Sequence, residues 1–403
     1  MQTAKPPTNT EIRNLRTLLI PPLHTSRAGD VHRIELKSNA APPTRPANAV
    51  PYTFMHIASV GTAFPPHRYT QTEIAAALVE RWGPKLAEPR LLTRLHANCG
   101  VEHRAFVFPL EHYPTLKGFT QTNNAWIEAA VALGQEAIEA ALAPLALSPA
   151  DISAIFFASV TGIASPTIDA RLINRMPFPA SVKRTPIFGL GCVAGAAGIA
   201  RASDYLRAFP DQIVLLLSVE LCSLTWQDDD QTIANLISTG LFADGAAAVI
   251  LAGDNTGLTG PRVLATRSTF YRDTQHIMGW EIGDNGFKIV LSPDVPKVVT
   301  DNLKGDVDLF LAENNLKQED IATWIFHSGG PKVLEAVEQS LSLEKDALAP
   351  SWKSLREHGN LSAASVLTVL EDYLKNQPGT PGSYSILAAM GPGFCLELVL
   401  LQW

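Results

Sequence analysis

The stretch "IFGLGCVAGAAG", residues 187–198, places one cysteine, Cys192, among glycines and alanines. An apolar run, "TPIFGL", leads into it, and a helical pattern, "VAGAAGIARASDYLRAF", follows at residues 193–209. This order predicts a buried strand, a tight turn and a helix that begins at the cysteine, with small neighbours that permit close backbone approach. The free N–H groups and positive dipole end of a helix N-terminus favour thiolate over thiol. Cys192 is therefore a candidate nucleophile, with a merely packed cysteine as the alternative.

From about Pro51 onward, the sequence predicts an α/β protein, because short apolar runs alternate with helical periods. Continuously apolar runs are typical of buried central strands. The runs that predict strands are "AIFFASV", "PIFGL", "QIVLLLSVEL", "AAAVILAG", "GFKIVLS", "TWIFHS", "SILAAMG" and "CLELVLLQW". The patterns that predict helices are "NAWIEAAVALGQEAIEAAL", the segment after Cys192, and "NLSAASVLTVLEDYLKN".

Two pairs of segments resemble each other in the same order. "DISAIFFASVTG" at Asp151 resembles "DIATWIFHSGG" at Asp320, and "ADGAAAVILAG" near Asp244 resembles "GPGFCLELVLL" near Pro392. We interpret this as an internally duplicated α/β domain whose halves, residues 51–255 and 256–403, meet in a common interface where a pocket can form. Residues 1–50 hold seven prolines and seven Lys/Arg against three Asp/Glu, a composition that predicts a flexible N-terminal extension.

Composition excludes several classes of function. The formal net charge is −7 and no cluster of Lys/Arg occurs, so a nucleic-acid partner is not expected. No apolar run reaches the ~20 residues that span a bilayer, so no membrane span is expected. The four cysteines stand at wide, irregular spacings, which indicates neither a metal site nor a disulfide framework and fits a cytoplasmic protein.

Two further residues stand at the ends of predicted elements. His327 ends the strand "TWIFHS", and Asn360, in "REHGNLSAAS", stands where another helix begins. A histidine and an asparagine together can present two N–H donors to an oxygen that becomes anionic, as in an enolate or a tetrahedral intermediate. Taken singly, a histidine at a strand end is more often structural. The three residues at three element ends favour a catalytic site.

The motifs "GLGCVAGAAG", "LFADGAAAVI", "HSGGPKVL", "GNLSAAS" and "GPGF" resemble, in order and spacing, the type III polyketide synthases, the chalcone-synthase-like branch of the thiolase-fold condensing enzymes. The similarity runs from about Tyr52 to Trp403. It implies a homodimer of thiolase fold, with a five-layered αβαβα architecture, and a Cys-His-Asn triad. It also implies CoA thioesters as substrates, an acyl-CoA starter and malonyl-CoA, and no cofactor.

The resemblance assigns roles to individual residues. Cys192 would hold the starter and the growing polyketide as a thioester, while His327 and Asn360 would hold the malonyl carbonyl and the enolate oxygen. Further candidates for substrate binding include Thr161, Ser362 and Trp280, a gatekeeping aromatic (Phe242), a cavity-shaping turn (Pro392) and a cation for the CoA phosphates (Arg94). A neighbouring lysine of the family is replaced by Asn98, which weakens the CoA assignment.

The substrate is less well defined by the sequence. Cys222 and Ser165 stand where the chalcone synthases have a threonine and a methionine, and such residues resemble bacterial members that take long fatty acyl starters and make alkylpyrones or alkylresorcinols. An aryl or short starter is one alternative. Others are a condensing enzyme similar to ketoacyl-carrier-protein synthase III, a cysteine hydrolase and a non-catalytic acyl-binding protein. The acidic run at residues 228–230 is expected to be a solvated start of a helix.

Overall fold

The computed structural model describes residues 54–86 and 88–403, so the predicted extension at residues 1–50 lies outside the described residues. The strands are β1 Met55–Ala63, β2 His67–Thr70, β3 His103–Phe106, β4 Ala154–Ala158, β5 Lys183–Ile187, β6 Ile213–Leu221, β7 Asp244–Gly253, β8 Arg262–Phe270, β9 Met278–Gly283, β10 Gly286–Leu291, β11 Ile321–Phe326, β12 Tyr384–Gly391 and β13 Cys395–Gln402. The helices are α1 Gln71–Trp82, α2 Pro89–Ala97, α3 Gly118–Leu142, α4 Ile168–Ile173, α5 Ala194–Ala208, α6 Ile233–Leu241, α7 Val295–Glu313, α8 Pro331–Leu341, α9 Ala349–His358 and α10 Ala363–Asn376.

Nine of the strands hydrogen-bond in the order β11-β12-β13-β8-β1-β7-β6-β4-β5. In the first half, β5, β4 and β6 are parallel, and β7 and β1 follow antiparallel. In the second half, β11 and β12 are parallel, and β13 and β8 follow antiparallel. The order and direction of β11-β12-β13-β8 therefore repeat those of β4-β6-β7-β1. The predicted duplication is confirmed, and of the nine strands of this sheet only β5 lacks a counterpart.

Alternate side chains of the central strands enter different layers, which explains why these strands are apolar throughout. On β6, Leu215 and Leu217 pack with α3, whereas Val214 and Leu216 pack with α5 and α10. The strands of the second half divide in the same way between α5 and α10 on one face and α7 and α8 on the other. The layers therefore alternate as α3, sheet, α5 with α10, sheet, α7 with α8, which is the predicted αβαβα order.

The two central helices approach each other so closely that a side chain at Gly195 would not fit. A Cβ built there would lie 2.4 Å from the carbonyl oxygen of Ala363 and 2.7 Å from Val366 Cγ1. The small residues after Cys192 thus serve mainly the packing of α5 on α10, more than the space above the sulfur. Because α5 and α10 both begin at this contact, the turns that precede them are brought together.

No helix in the described ranges has both the length and the apolar character needed to cross a membrane.

Candidate active site

Cys192 lies in the turn Gly191–Val193, directly before α5, as the sequence predicts. Its side chain is buried, with 5% of its surface exposed. Burial raises the pKa of the Cys192 thiol to about 12, and the nearby Glu220 carboxylate adds to the rise. Burial and the helix N-terminus therefore act on this thiol in opposite directions, and the thiolate expected from the sequence stays a prediction.

The turn that carries Cys192 packs against the loop after β12. Gly191 has φ +54°, and a Cβ at this position would lie 2.7 Å from Pro392 Cδ. At Gly391, a Cβ would lie 2.7 Å from the amide nitrogen of Val193. Glycine at both positions therefore allows the loop to lie directly on the cysteine turn, and Pro392 becomes part of the wall beside Cys192.

Asn360 and Ser362 form the turn before α10 and connect it to Cys192. The Asn360 Oδ1 atom accepts a hydrogen bond from the Ser362 amide at 2.8 Å, and Cys192 Sγ donates to Ser362 Oγ at 3.7 Å. Ser362 has φ +49° and ψ −125°, a conformation that costs energy for any residue with a Cβ. The Asn360 side chain holds this strained turn, and the turn places the Ser362 hydroxyl at the sulfur.

His327 reaches the same place from the end of β11. The Asn360 Nδ2 group donates to the Gly329 carbonyl at 3.1 Å, and a Cβ at Gly329 would lie 3.2 Å from the His327 ring. Burial lowers the pKa of His327 to about 4, so the imidazole is neutral near pH 7. The His327 Nδ1 atom is buried and makes no hydrogen bond within the described residues. Asn360 thus contacts the Ser362 turn beside Cys192 on one side and Gly329, two residues after His327, on the other, and it lines one cavity together with His327.

Three small cavities adjoin these residues. One of about 30 Å³ contains Cys192, a second of about 30 Å³ contains His327 and Asn360, and Met278 lines both. A third, of about 10 Å³, extends inward from the Cys192 cavity. The predicted residues that line the Cys192 cavity are Thr161, Cys222, Phe242, Trp280, Ser362 and Pro392. The walls are mostly apolar, which suits an acyl chain.

Phe242 is fixed directly beside Asn360 by the backbone. The amide of Asn360 donates to the Leu241 carbonyl at 2.8 Å, and the Ala243 amide donates to the Asn360 carbonyl at 2.9 Å. The buried guanidinium of Arg104 donates to the Phe242 carbonyl at 2.6 Å. The aromatic ring therefore has a defined position in the wall of the cysteine cavity.

Sequence reasoning missed Glu220, a buried carboxylic acid two residues before Cys222. Its Oε2 atom accepts hydrogen bonds from the Thr161 hydroxyl at 2.9 Å, the Val160 amide at 3.1 Å and the Ser159 hydroxyl at 3.2 Å. Burial raises the pKa of Glu220 to about 7, and these hydrogen bonds oppose the rise. The signal was present in the sequence, because Glu220 is the one acidic residue in the apolar run "QIVLLLSVEL".

Two predicted binding residues lie outside the three cavities. Ser165 is exposed, because Asn123 holds the preceding part of its loop outward through hydrogen bonds to both the amide and the carbonyl of Ile163. Its predicted place in the cavity wall therefore stays a prediction. Arg94 is an exposed residue of α2 and lines none of the three cavities, so its contact with CoA stays a prediction.

The chemistry available at this site is that of a thiol beside neutral N–H donors. One of the two N–H groups on Asn360 Nδ2 donates to the Gly329 carbonyl, and the other is available to a substrate. The neutral imidazole of His327 supplies a further N–H donor. In the described part of the chain, no three His, Cys, Asp or Glu side chains are grouped so as to hold a metal ion. The arrangement can form a thioester and stabilise an oxyanion, which are the two requirements of acyl transfer with carbon–carbon bond formation.

Comparison with known families gives the same assignment. The profile of the N-terminal domain of chalcone and stilbene synthases matches residues 53–255, and that of the C-terminal domain matches residues 262–403. A 1,3,6,8-tetrahydroxynaphthalene synthase of Streptomyces peucetius subsp. caesius is 49% identical over 86% of this chain and 93% of its own length. A protein named putative chalcone synthase from Bacillus subtilis is 36% identical over 86% of this chain and 98% of its own length.

Solved structures are similar over the same region. The crystal structure of 1,3,6,8-tetrahydroxynaphthalene synthase from Streptomyces coelicolor, described as a bacterial type III polyketide synthase, superimposes with a TM-score of 0.82 at 30% identity. It covers 86% of this chain and 99% of that one. A polyketide synthase from the brown alga Ectocarpus siliculosus superimposes with a TM-score of 0.81 at 26% identity, over 88% of this chain and 99% of that one. This chain therefore belongs to the chalcone and stilbene synthase family and is a type III polyketide synthase with the thiolase fold.

Proposed function

We propose that the enzyme takes an acyl group from a CoA thioester onto Cys192 and extends it with malonyl-CoA. In the loading step the sulfur attacks the acyl carbonyl, a new thioester forms, and CoA leaves as its thiol. Malonyl-CoA then loses CO₂, and the resulting enolate carbon attacks the Cys192 thioester and releases the sulfur. The observation that carries this proposal is the connection of Cys192 to Asn360 through Ser362.

In this proposal, His327 and Asn360 hold the malonyl carbonyl and stabilise the enolate oxygen. Decarboxylation itself supplies the electron pair, so the step needs no strong base and no bound cofactor. What it needs is N–H donors aimed at the developing negative charge in a site that excludes water. The lowered pKa of His327 fits this role, because a neutral ring donates a hydrogen bond without having to lose a buried charge.

For the product, we propose an aromatic polyketide built from malonyl units, as the name tetrahydroxynaphthalene synthase implies for the relatives. A naphthalene skeleton has ten carbons, which five two-carbon units supply. The bulky Trp280, which stands in the walls of both the Cys192 cavity and the inner one, supports a compact product over the long alkyl chain that Cys222 and Ser165 suggested. The long-chain starter is therefore the second outcome to test.

We also propose that the active form is a homodimer. Strand β5 is the edge of the nine-stranded sheet, and four of its five residues, Lys183–Pro186, are exposed. The neighbouring Phe188 is 52% exposed and Ile163 is 45% exposed. An edge strand with unpaired backbone groups and apolar neighbours can pair with the same strand of a second copy. A Phe188→Glu variant should elute as a monomer in size-exclusion chromatography with light scattering, while the exposed Leu309→Glu control stays dimeric.

The test of the reaction is mass spectrometry of products from malonyl-CoA alone and with acyl-CoA starters from acetyl to stearoyl. Tetrahydroxynaphthalene, or the quinone that forms from it by air oxidation, is expected from malonyl-CoA alone. Pyrones or resorcinols that appear only with long starters would replace the proposed product with the alkyl one. Absence of any condensation product would favour the acyl-binding alternative, and a Cys192→Ala variant serves as the inactive control.

A further inference from the structure

The hairpin β9–β10 forms one wall of the catalytic cavities, yet it is not part of the main sheet. Its two strands pair only with each other, and Trp280 stands directly opposite Ile289. These two side chains line both the Cys192 cavity and its inner extension, and Met278 and Gly279 of β9 also line the Cys192 cavity. An isolated two-stranded hairpin is only marginally stable in water, so its position depends on contacts with the rest of the chain.

One side chain makes the hydrogen bonds that join this hairpin to the remainder of the described chain. Gln227 Nε2 donates to the Phe287 carbonyl at 3.0 Å and to the Asn285 carbonyl at 3.2 Å, at the tip of the hairpin. Between the described residues, the one other polar contact from the hairpin is Lys288 with Asp230 at 3.9 Å. Lys288 is half-exposed and the distance is long, so this ion pair contributes little.

Hydrogen bonds hold the backbone of Gln227 and of the residues that follow it. Its carbonyl accepts a hydrogen bond from Asn235 Nδ2 at 3.1 Å, and the same Asn235 group donates to the Asp230 carbonyl at 2.7 Å. The next residue, Asp228, accepts from Arg81 at 2.6 Å and from the Trp82 indole at 2.9 Å. The prediction that residues 228–230 form a solvated start of a helix is therefore corrected in part. Asp228 fastens the segment to α1, and only Asp229 is largely exposed.

The apolar contacts at the hairpin tip do not by themselves fix the orientation of the hairpin. Phe287 is buried and its ring lies 5.4 Å from Phe119, 5.8 Å from Trp280 and 6.5 Å from Phe188. Ring contacts of this kind hold the hairpin down but are tolerant of small rotations. The Gln227 Nε2 group also reaches the Thr225 carbonyl at 3.3 Å, so its two N–H groups are shared among three carbonyls. Two of these carbonyls stand two residues apart on the tip, so the amide defines a direction as well as a distance.

We propose that Gln227 is a positioning residue for the condensation reaction. By holding the hairpin tip, it sets where Trp280 and Ile289 stand beside Cys192 and Cys222, and so it sets the length of polyketide that the cavity accepts. This inference rests on the proposed function, because the chain whose length is measured is the one that grows on Cys192. Gln227 contacts none of the triad residues and lines none of the three cavities, and the cavity residues with which it forms hydrogen bonds are Thr225 and Asn235, in the wall of the inner cavity.

The first test measures the hairpin directly, by hydrogen–deuterium exchange in the full-length protein. Gln227→Ala removes both hydrogen bonds, and Gln227→Glu keeps the length of the side chain but turns a carboxylate toward two carbonyl oxygens. We expect exchange at residues 278–291 to accelerate on the order of tenfold in both variants. The matched control is Gln231→Ala, since Gln231 donates within its own segment, to the Asp228 carbonyl at 3.4 Å. Unchanged exchange in both Gln227 variants overturns the proposal.

The second test measures products and kinetics with malonyl-CoA. We expect Cys192 to be acylated at the wild-type rate in the Gln227 variants, while a larger share of the products leaves as shorter lactones and the Gln231→Ala control keeps the wild-type distribution. A loosened hairpin with an unchanged product distribution would overturn the positioning role. A wild-type enzyme that forms no condensation product would overturn the proposed function itself, and the exchange data would still report separately on Gln227.

Discussion

Replacing Asn360 by aspartate separates the two tasks that the structure gives to this residue. The Oδ1 atom supports the strained Ser362 turn by accepting its amide, and the Nδ2 group donates to the Gly329 carbonyl. Aspartate keeps an acceptor for Ser362 and loses both amide N–H groups. Alanine loses both functions. The comparison therefore tests whether the N–H donor acts on the enolate or only supports the turn.

The magnitude follows from the number of donors. Nδ2 has two N–H groups and Gly329 takes one, so one N–H is free for the enolate oxygen. Removing one preorganised donor from an oxyanion site costs about 10²–10³ in kcat. We expect Asn360→Asp to lower the rate of malonyl-CoA decarboxylation by this factor, measured by chromatography of the acetyl-CoA released. Loading of Cys192, measured as a mass increase of the intact protein, should stay within about threefold of the wild type because the turn at Ser362 is kept.

The matched control is Asn376→Asp at the last residue of α10, whose side chain donates to Asp372 at 2.8 Å, away from the candidate site. It should leave both rates unchanged. Asn360→Ala should lower both decarboxylation and loading, because the Ser362 amide then lacks its acceptor beside Cys192. Decarboxylation by Asn360→Asp within about threefold of the wild-type rate would refute the assignment of Asn360 as an enolate donor and leave it a purely structural role.

Three further variants test the cavity, the buried acid and the helix packing. Trp280→Ala should join the inner cavity to the Cys192 cavity and raise kcat/KM for long acyl-CoA starters about tenfold or more, which a starter panel measures. Burial raises the pKa of Glu220 from 4.5 to about 7, so its ionisation weakens the fold progressively between those values and by about 3 kcal/mol above them. The free energy of unfolding measured with urea should therefore rise for Glu220→Gln relative to the wild type as the pH increases from 5 to 8. A difference between the two proteins that does not change with pH would contradict this. Gly195→Ala should destabilise by about 1–3 kcal/mol because its Cβ meets Ala363, whereas Gly305→Ala, with open space around it, should be neutral or stabilising.

The sequence predicts the triad because each member carries a local signal. Cys192, His327 and Asn360 all stand where an apolar run or a helical period begins or ends, and the duplication indicates that such ends meet. The strand ends and helix starts depend on a few neighbouring residues, so a single sequence is sufficient to place them. The burial that raises the pKa of Cys192 could not be predicted in this way, because burial is a property of the whole packed interior.

The walls of the cavity could not be predicted in the same way. Strand β9, "MGWEIG", has no run of apolar residues and was not predicted, although Trp280 was named as a candidate for the cavity wall. Its partner Ile289 belongs to a predicted strand, but the pairing of the two depends on a tight turn and on Gln227, more than fifty residues away in the chain. Contacts of that kind leave no periodic pattern.

The duplicated fold explains why the proposed nucleophile and the proposed enolate donors come from different halves of the chain. Helices α5 and α10 lie side by side in the central layer, and the turns before them carry Cys192 and Asn360. The close packing at Gly195 fixes one turn relative to the other, since a single added carbon would lie 2.4 Å from the Ala363 carbonyl. In the proposed mechanism, loading depends on one turn and decarboxylation on the other. The helix contact would then hold the enolate within reach of the thioester, and the hairpin that Gln227 holds would determine how much room the product has.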